Sequence, residues 1–171
     1  GESNMRGAYR SIGINRNDFM SLIQINDNRP DDIKAIQWLS FASNAFNVMV
    51  PFYADIETTP DYLSNTTGEV STDNFYWSSR MLAAMADASY KKSIFHIERY
   101  QEHVLSKGHE IINRYDDMIQ NEADTDKHLA LKHEANQAVA DMLKAATSDT
   151  LGKVLYELSN EMKNAYSRSD A

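Results

Sequence analysis

Cysteine is missing from all 171 residues of the chain. Its absence excludes disulfide bonds, thiolate metal ligands and a cysteine nucleophile among these residues. It assigns no compartment, because cysteine-free proteins occur both inside and outside cells. Residues 1–6 lack the apolar core of a signal peptide. We therefore expect a cytoplasmic location, and a chain that starts inside a longer protein.

Positive charge is also scarce. The 17 Lys and Arg residues are outnumbered by 25 Asp and Glu residues, which gives a formal net charge of −8. Nucleic-acid-binding proteins usually carry a basic stripe, and the densest basic spot here is the pair Lys91 and Lys92. Neither nucleic acid nor an anionic membrane is therefore an expected partner. No apolar run approaches the roughly 20 residues that a membrane helix needs.

The chain also has few glycines and poorly spaced histidines. Its 6 glycines are too scattered for a phosphate-binding loop, and no G-x-S-x-G nucleophile motif occurs. Two histidine ligands on one helix need a spacing of three or four residues, which no pair here has. We therefore predict neither a metal site nor a cofactor. The histidines are His96, His103, His109, His128 and His133.

The first part of the chain is predicted to form strands. Residues 19–25 are apolar on both alternating sets, which predicts a strand covered on both faces. Residues 35–41 repeat this pattern after a polar turn. Residues 46–53 place their large apolar side chains on one face with a period of two, and Pro51 predicts an edge strand. A further short strand is predicted at residues 11–14.

The second part is predicted to be helical, after a loop at residues 54–70. Apolar residues recur at spacings of three and four, and this pattern predicts four helices. The first is capped by Ser71 or Thr72 and ends at Ala88. The others cover residues 92–121, residues from 122 or 125 to 146, and a last stretch from 149 or 150 onwards. The fold class is α+β, with a strand-containing part at residues 1–90 and a helical region at residues 91–171.

The first turns of the first predicted helix combine aromatic and polar residues. Asp73, Tyr76, Arg80 and Asp87 lie on one helical face. Arg80 is suited to hold a carboxylate or to lower the pKa of a neighbouring thiol. The alternative is a surface ion pair or hydrogen bond with Asp73, Tyr76 or Asp87, and the spacing alone favours this alternative.

Four segments together resemble a known family. They are residues 9–12 (Tyr-Arg-Ser-Ile), residues 36–39 (Ile-Gln-Trp-Leu), residues 47–54 with the Val-Pro-Phe-Tyr-Ala stretch, and residues 71–80 with the aromatic-Trp-x-x-Arg helix start. In this order they resemble bacterial dipeptidases of the lactobacillus dipeptidase A type, over residues 9–115. That family is related to penicillin V acylase and belongs to the N-terminal nucleophile hydrolases, which have a four-layer αββα fold.

The resemblance implies a cysteine nucleophile at the mature N-terminus, which must lie upstream because this chain has none. It implies that Arg80 positions the nucleophile and that Asn44 and Asn47 contact the substrate or its oxyanion. We therefore expect the C-terminal portion of a dipeptidase, contributing part of an antiparallel sheet and a helical region, and inactive alone. Its expected partners are a dipeptide substrate, the upstream segment and further copies of itself. The alternative is a non-catalytic helical module for oligomerisation or partner binding.

Overall fold

The computed structural model describes residues 17–43 and 45–163. Three strands form an antiparallel sheet in the order β1-β2-β3: β1 is Phe19–Ile25, β2 is Ala35–Phe41 and β3 is Val50–Tyr53. The first two predicted strands are confirmed with their bounds, and the α+β class is confirmed. The strand predicted at residues 11–14 lies outside the described residues.

The third strand is shorter than the predicted strand at residues 46–53. Phe46 N–H donates to the carbonyl of Ser43 at 3.0 Å, which closes a turn. The side-chain Oδ1 of Asn47 then accepts from Val48 N–H at 2.8 Å. These local hydrogen bonds use backbone groups that a strand would have offered to a neighbour. The ladder therefore begins only at Val50, which pairs with Leu39.

Strand β1 differs from the prediction of cover on both faces. Phe19, Leu22, Ile23 and Ile25 are between 54% and 65% exposed. Among the described elements, β1 packs only against β2, whereas the helices pack on β2 and β3. The prediction of cover on both faces was wrong for the described residues. Apolar residues on both faces show that a strand is suited to burial, but the layers that bury it must come from other elements.

Four helices follow the sheet. Their bounds are α1 Asp61–Ser64, α2 Phe75–Ala88, α3 Tyr90–Asn121 and α4 His128–Asn160, with a 3₁₀ turn at Thr125–Lys127. Helix α1 lies inside the predicted loop at residues 54–70, and α3 confirms the predicted helix at residues 92–121. None of the described helices is long and apolar enough to cross a membrane.

The cap of α2 is Asn74, and the prediction of Ser71 or Thr72 was wrong. Asn74 Oδ1 accepts from Trp77 N–H at 2.9 Å, which satisfies one of the free amides in the first turn. The hydroxyl of Ser71 instead accepts from Asp73 N–H at 3.0 Å. This bond forms a polar turn before the helix, so the cap of α2 lies two or three residues later than predicted.

Helix α4 is continuous where two helices were predicted. The hydroxyls of Thr147 and Thr150 donate to carbonyls four residues earlier, at 2.7 and 2.8 Å. Thr147 is also 2.7 Å from the hydroxyl of Tyr100 on α3. Both threonines therefore form hydrogen bonds inside α4, and Thr147 also bonds to α3. Their hydroxyl groups are satisfied without a break in the helix.

The core lies between the sheet and the helices. One apolar cluster runs from Ile33 beside β2 to Val154 near the end of α4. Within this core, Asn136 of α4 lies at the outer edge of β3 and hydrogen-bonds to its backbone. Its Oδ1 accepts from Tyr53 N–H at 2.8 Å and its Nδ2 donates to the Tyr53 carbonyl at 3.0 Å. The division of the parent protein at residue 90 stays a prediction.

Candidate functional site

A cleft opens between the start of β1, the segment after β2 and the outer face of α2. Its volume is about 600 Å³, and we name it the Arg80 cleft. It lies beside the aromatic-rich start of α2, where the sequence placed its main candidate. Its lining residues are Asn17, Asp18, Ser43, Ala45, Phe46, Arg80, Ala83, Ala84, Asp87 and Tyr90.

The Arg80 guanidinium is held at one end of this cleft. Its Nη1 lies 2.5 Å from Asp18 Oδ1 and 3.5 Å from the hydroxyl of Tyr76. The guanidinium carbon also lies 5.6 Å from the centre of the Tyr76 ring. Both hydrogen bonds use Nη1. The donors on Nη2 and Nε form no hydrogen bond with another described residue. A fixed cation with unused donors is suited to hold an anion.

The expected surface-pair partners of Arg80 are only partly correct. Tyr76 is a partner, but the carboxylate is Asp18, whereas Asp73 pairs with Lys144 at 3.3 Å. The sequence did not point to Asp18, because it lies 62 residues from Arg80. No motif links the two positions, and only the packing of α2 beside the start of β1 brings them together.

The backbone beside the cleft is strained. Ala42 has a φ of 63°, in the left-handed region that favours glycine. Its N–H donates to the carbonyl of Asp18 at 2.9 Å, which fixes the residue that holds Arg80. Such strain is often found at functional sites, where the surrounding structure imposes it.

Asn47 is buried beneath the segment that borders the cleft. It is 3% exposed, and its backbone carbonyl accepts from Gln101 Nε2 at 2.8 Å. Its Nδ2 is buried without a hydrogen-bond partner among the described residues, which is costly unless an acceptor is supplied. Asn47 is not a lining residue, although its neighbour Phe46 is. Asn44 lies outside the described residues.

A buried polar cluster joins the β1–β2 turn to α3. Asp116 Oδ2 lies 2.5 Å from Arg29 Nη2, and its Oδ1 accepts from the Tyr53 hydroxyl at 2.7 Å. Burial raises the pKa of the Tyr53 hydroxyl, and the hydrogen bond to Asp116 adds to this rise. The hydroxyl therefore stays protonated and acts as a donor. The cluster fixes the sheet on the helices.

A second polar cluster lies where α4 begins. His128 Nδ1 lies 2.6 Å from Asp32 Oδ2, and His128 Nε2 lies 3.0 Å from the carbonyl of Glu122. Nearby, the buried Lys132 Nζ lies 3.0 Å from Asp55 Oδ2. The hydrogen bond to the Glu122 carbonyl, and then the bond to Asp32, raise the pKa of His128. Across residues 17–43 and 45–163, no three potential metal ligands meet in a cluster.

The sequence is similar to known peptidases. The profile of Peptidase family C69 matches residues 1–103. A probable dipeptidase A of Streptococcus pyogenes serotype M3 (strain SSI-1) is 38% identical over 95% of this chain and 34% of its own length. A dipeptidase of Bifidobacterium longum (strain NCC 2705) is 35% identical over 99% of the chain and 39% of its length.

Dipeptidase A of Lactobacillus helveticus is 30% identical over 92% of the chain and 33% of its own length. The chain thus spans about a third of the length of the curated relatives that it matches. The match to the family profile covers more than half of the chain, and the predicted resemblance is confirmed. The chain belongs to Peptidase family C69.

Proposed function

We propose that the chain is the C-terminal part of a dipeptidase whose catalytic cysteine lies upstream. The profile match supports a peptidase, and the names of the relatives support dipeptides as substrates. The single observation that carries the proposal is the Arg80 guanidinium, held by Asp18 with donors still facing an open cleft. A cation in this position stabilises a thiolate placed beside it.

The proposed reaction is acyl transfer through a thioester. The α-amine of the upstream cysteine takes the thiol proton and becomes an ammonium, and the thiolate attacks the carbonyl carbon of the peptide bond. The bond to nitrogen then breaks as the leaving amine takes that proton from the α-ammonium. Water then attacks the thioester and releases the first amino acid and the thiol. Arg80 is the positioning residue for the thiolate in this scheme.

Asn47 and Asn44 are our candidates for a contact with the substrate or its oxyanion. Support comes from the buried Asn47 Nδ2, which has no acceptor among the described residues. The oxygen of a tetrahedral intermediate is an acceptor that such a donor stabilises.

The exposed apolar strand β1 supports an upstream segment that covers it. Leu22 faces one side of the sheet and Ile23 the other, and both are more than half exposed. The outer edge of β1 pairs with no other described strand. We propose that the upstream segment adds strands to this edge and a layer to each face, as in the αββα arrangement.

Assembly of copies is a second candidate role. It is supported by the C-terminal half of α4, where Leu155 is 54% exposed and Tyr156 is 66% exposed. Phe95 of α3 is exposed to a similar extent, at 54%. Large exposed apolar side chains are typical of interaction surfaces where they form one contiguous patch. This role is compatible with catalysis.

Arg80→Ala in the full-length parent tests the proposal. We expect hydrolysis of a dipeptide panel to fall on the order of 100-fold, because a preorganised electrostatic group is typically worth 10²–10³. The acid limb of the kcat/KM profile should move to higher pH, because the thiol loses the cation that lowers its pKa.

Arg114→Ala is the matched control, since Arg114 lies on the exposed side of α3 and contacts the ring of Tyr115. It should retain full activity. An Arg80→Ala parent with unchanged rate and pH profile would remove the main site residue from the proposal. A parent that hydrolyses no dipeptide in the panel would end the proposal itself.

A further inference from the structure

We propose that Asp87 binds the free α-ammonium group of the dipeptide substrate within the Arg80 cleft. This inference rests on the proposed function and adds the group that selects substrates with a free amine beside the scissile bond. The α-ammonium of a dipeptide lies directly beside the scissile carbonyl. A carboxylate near the reacting centre therefore distinguishes a dipeptide from an internal peptide bond, which has no charge there.

The charges of the cleft leave Asp87 for this role. Three charged residues line it, namely Asp18, Arg80 and Asp87. Asp18 is already engaged, because its Oδ1 holds Arg80 Nη1. Asp87 forms no ion pair or hydrogen bond with another residue in the described part of the chain. A carboxylate without a cation lines the same cleft as a cation with unused donors.

The helix fixes the distance between these two groups. Arg80 and Asp87 are seven residues apart on α2, which places them on the same side, separated by two turns or roughly 10 Å along the axis. Ala83 and Ala84 line the cleft between them, so no long side chain occupies the space. A thiolate near Arg80 and an ammonium near Asp87 can thus both contact one short substrate.

The far wall of the cleft is aromatic. The rings of Phe46 and Tyr90 meet edge-to-face with centroids 6.1 Å apart. Both residues line the cleft with Asp87, and Tyr90 follows Asp87 closely in the sequence. An apolar wall beside a carboxylate suits an amino acid that presents an ammonium group and a side chain together.

The test is Asp87→Asn in the full-length parent, with alanyl-alanine as substrate and propionyl-alanine as competitive inhibitor. Propionyl-alanine is the same molecule without the amine. We expect kcat/KM for alanyl-alanine to fall on the order of 10- to 100-fold, the usual range for one hydrogen bond to a charged group. The inhibition constant of propionyl-alanine should stay unchanged. Asp87→Glu should recover part of the loss.

Glu102→Gln is the matched control, because it removes an exposed carboxylate from α3 away from the cleft. Equal behaviour of Asp87→Asn and this control would overturn the inference while leaving the proposed function intact. Equal weakening of alanyl-alanine and propionyl-alanine would also overturn it, because the effect would then not depend on the ammonium. A wild-type parent inactive on all dipeptides would instead refute the proposed function.

Discussion

Gly108 is the residue on which the contact between α3 and β3 depends. A Cβ atom at this position would lie 2.8 Å from Cδ and 3.0 Å from Cγ of Pro51. The proline ring is rigid, so it cannot yield to such an atom. Pro51 is compatible with β3 as an edge strand, because one side of an edge strand needs no N–H for a ladder.

Gly108→Ala should therefore destabilise the protein despite the better helix propensity of alanine. The propensity gain of about 1 kcal/mol is opposed by an overpacking cost of about 1–3 kcal/mol. We expect a net loss on the order of 1 kcal/mol, which lowers Tm by about 2–4 °C. Thermal unfolding followed by circular dichroism measures this shift.

Gly152→Ala is the matched control, because nothing lies within 4 Å of a Cβ atom built at Gly152 of α4. It should raise Tm, since only the propensity gain applies. A rise in Tm for Gly108→Ala as large as that for Gly152→Ala would contradict the close approach to Pro51.

At the scale of elements, the start of α4 is attached to the β1–β2 turn by a histidine with two acceptors. Neutral imidazole has one N–H donor, whereas His128 faces the Asp32 carboxylate with one nitrogen and the Glu122 carbonyl with the other. Only the protonated ring donates to both. Lys132 reinforces the attachment, since its Nζ lies 3.4 Å from the Asp32 carbonyl.

This attachment predicts a pH-dependent stability. The folded pKa of His128 is raised above its ordinary value, so its contribution is complete below the unfolded pKa of about 6.5. It is lost as the pH rises through the folded pKa. We expect the stability difference between wild type and His128→Asn, measured by urea unfolding, to shrink across this interval towards alkaline pH.

His103→Asn serves as the control, because His103 lies on the exposed side of α3 and has no corresponding pair of acceptors among the described residues. A wild-type advantage over His128→Asn that stays constant from about pH 5.5 to about pH 8.5, roughly one unit below to two units above the ordinary pKa, would contradict the requirement for a protonated ring.

Local patterns predicted most elements, and the differences have local physical causes. Short runs that are apolar on both alternating sets located β1 and β2, and the spacings of three and four located α3 within two residues of its start. The break predicted between residue 146 and residue 149 or 150 was wrong, since Thr147 and Thr150 lie within the continuous α4. Their hydrogen bonds to Leu143 and Ala146 depend on helical geometry and are not visible in composition.

The candidate site was predicted in part for a similar reason. Arg80 stood out because aromatic residues surround it within one short segment. Asp18 and the cleft itself depend on the packing of α2 beside the start of β1, a contact between distant parts of the sequence. Spacing along one helix placed Asp87 on the same face as Arg80, but it gave no sign that a cleft lies between them.

At the scale of the whole molecule, a compact helical body carries a strand that it does not cover. Helices α3 and α4 pack along each other and hold β3, whereas β1 extends beyond them with Phe19 and Ile25 more than half exposed. An uncovered apolar edge strand is a template for pairing with another chain.

The isolated 171-residue chain should therefore self-associate. Sedimentation velocity should detect dimers or larger species, and the double substitution Leu22→Lys with Ile23→Lys should shift the distribution towards monomer by placing charge on both faces of β1. Val70→Lys is the control, since Val70 is 62% exposed in a loop. A strictly monomeric wild-type chain would contradict this prediction.

The two hydrogen bonds of the Asn136 side chain give Tyr53 the backbone partners that a neighbouring strand would otherwise supply. The position needs a donor and an acceptor on a stem of fixed length, at a site with 0% exposure. Aspartate has the length but lacks the donor, leucine has neither group, and glutamine has both on a stem one methylene too long. Fewer substitutions are therefore tolerated at position 136 than at the apolar positions around it, where several apolar side chains of similar volume fit equally well.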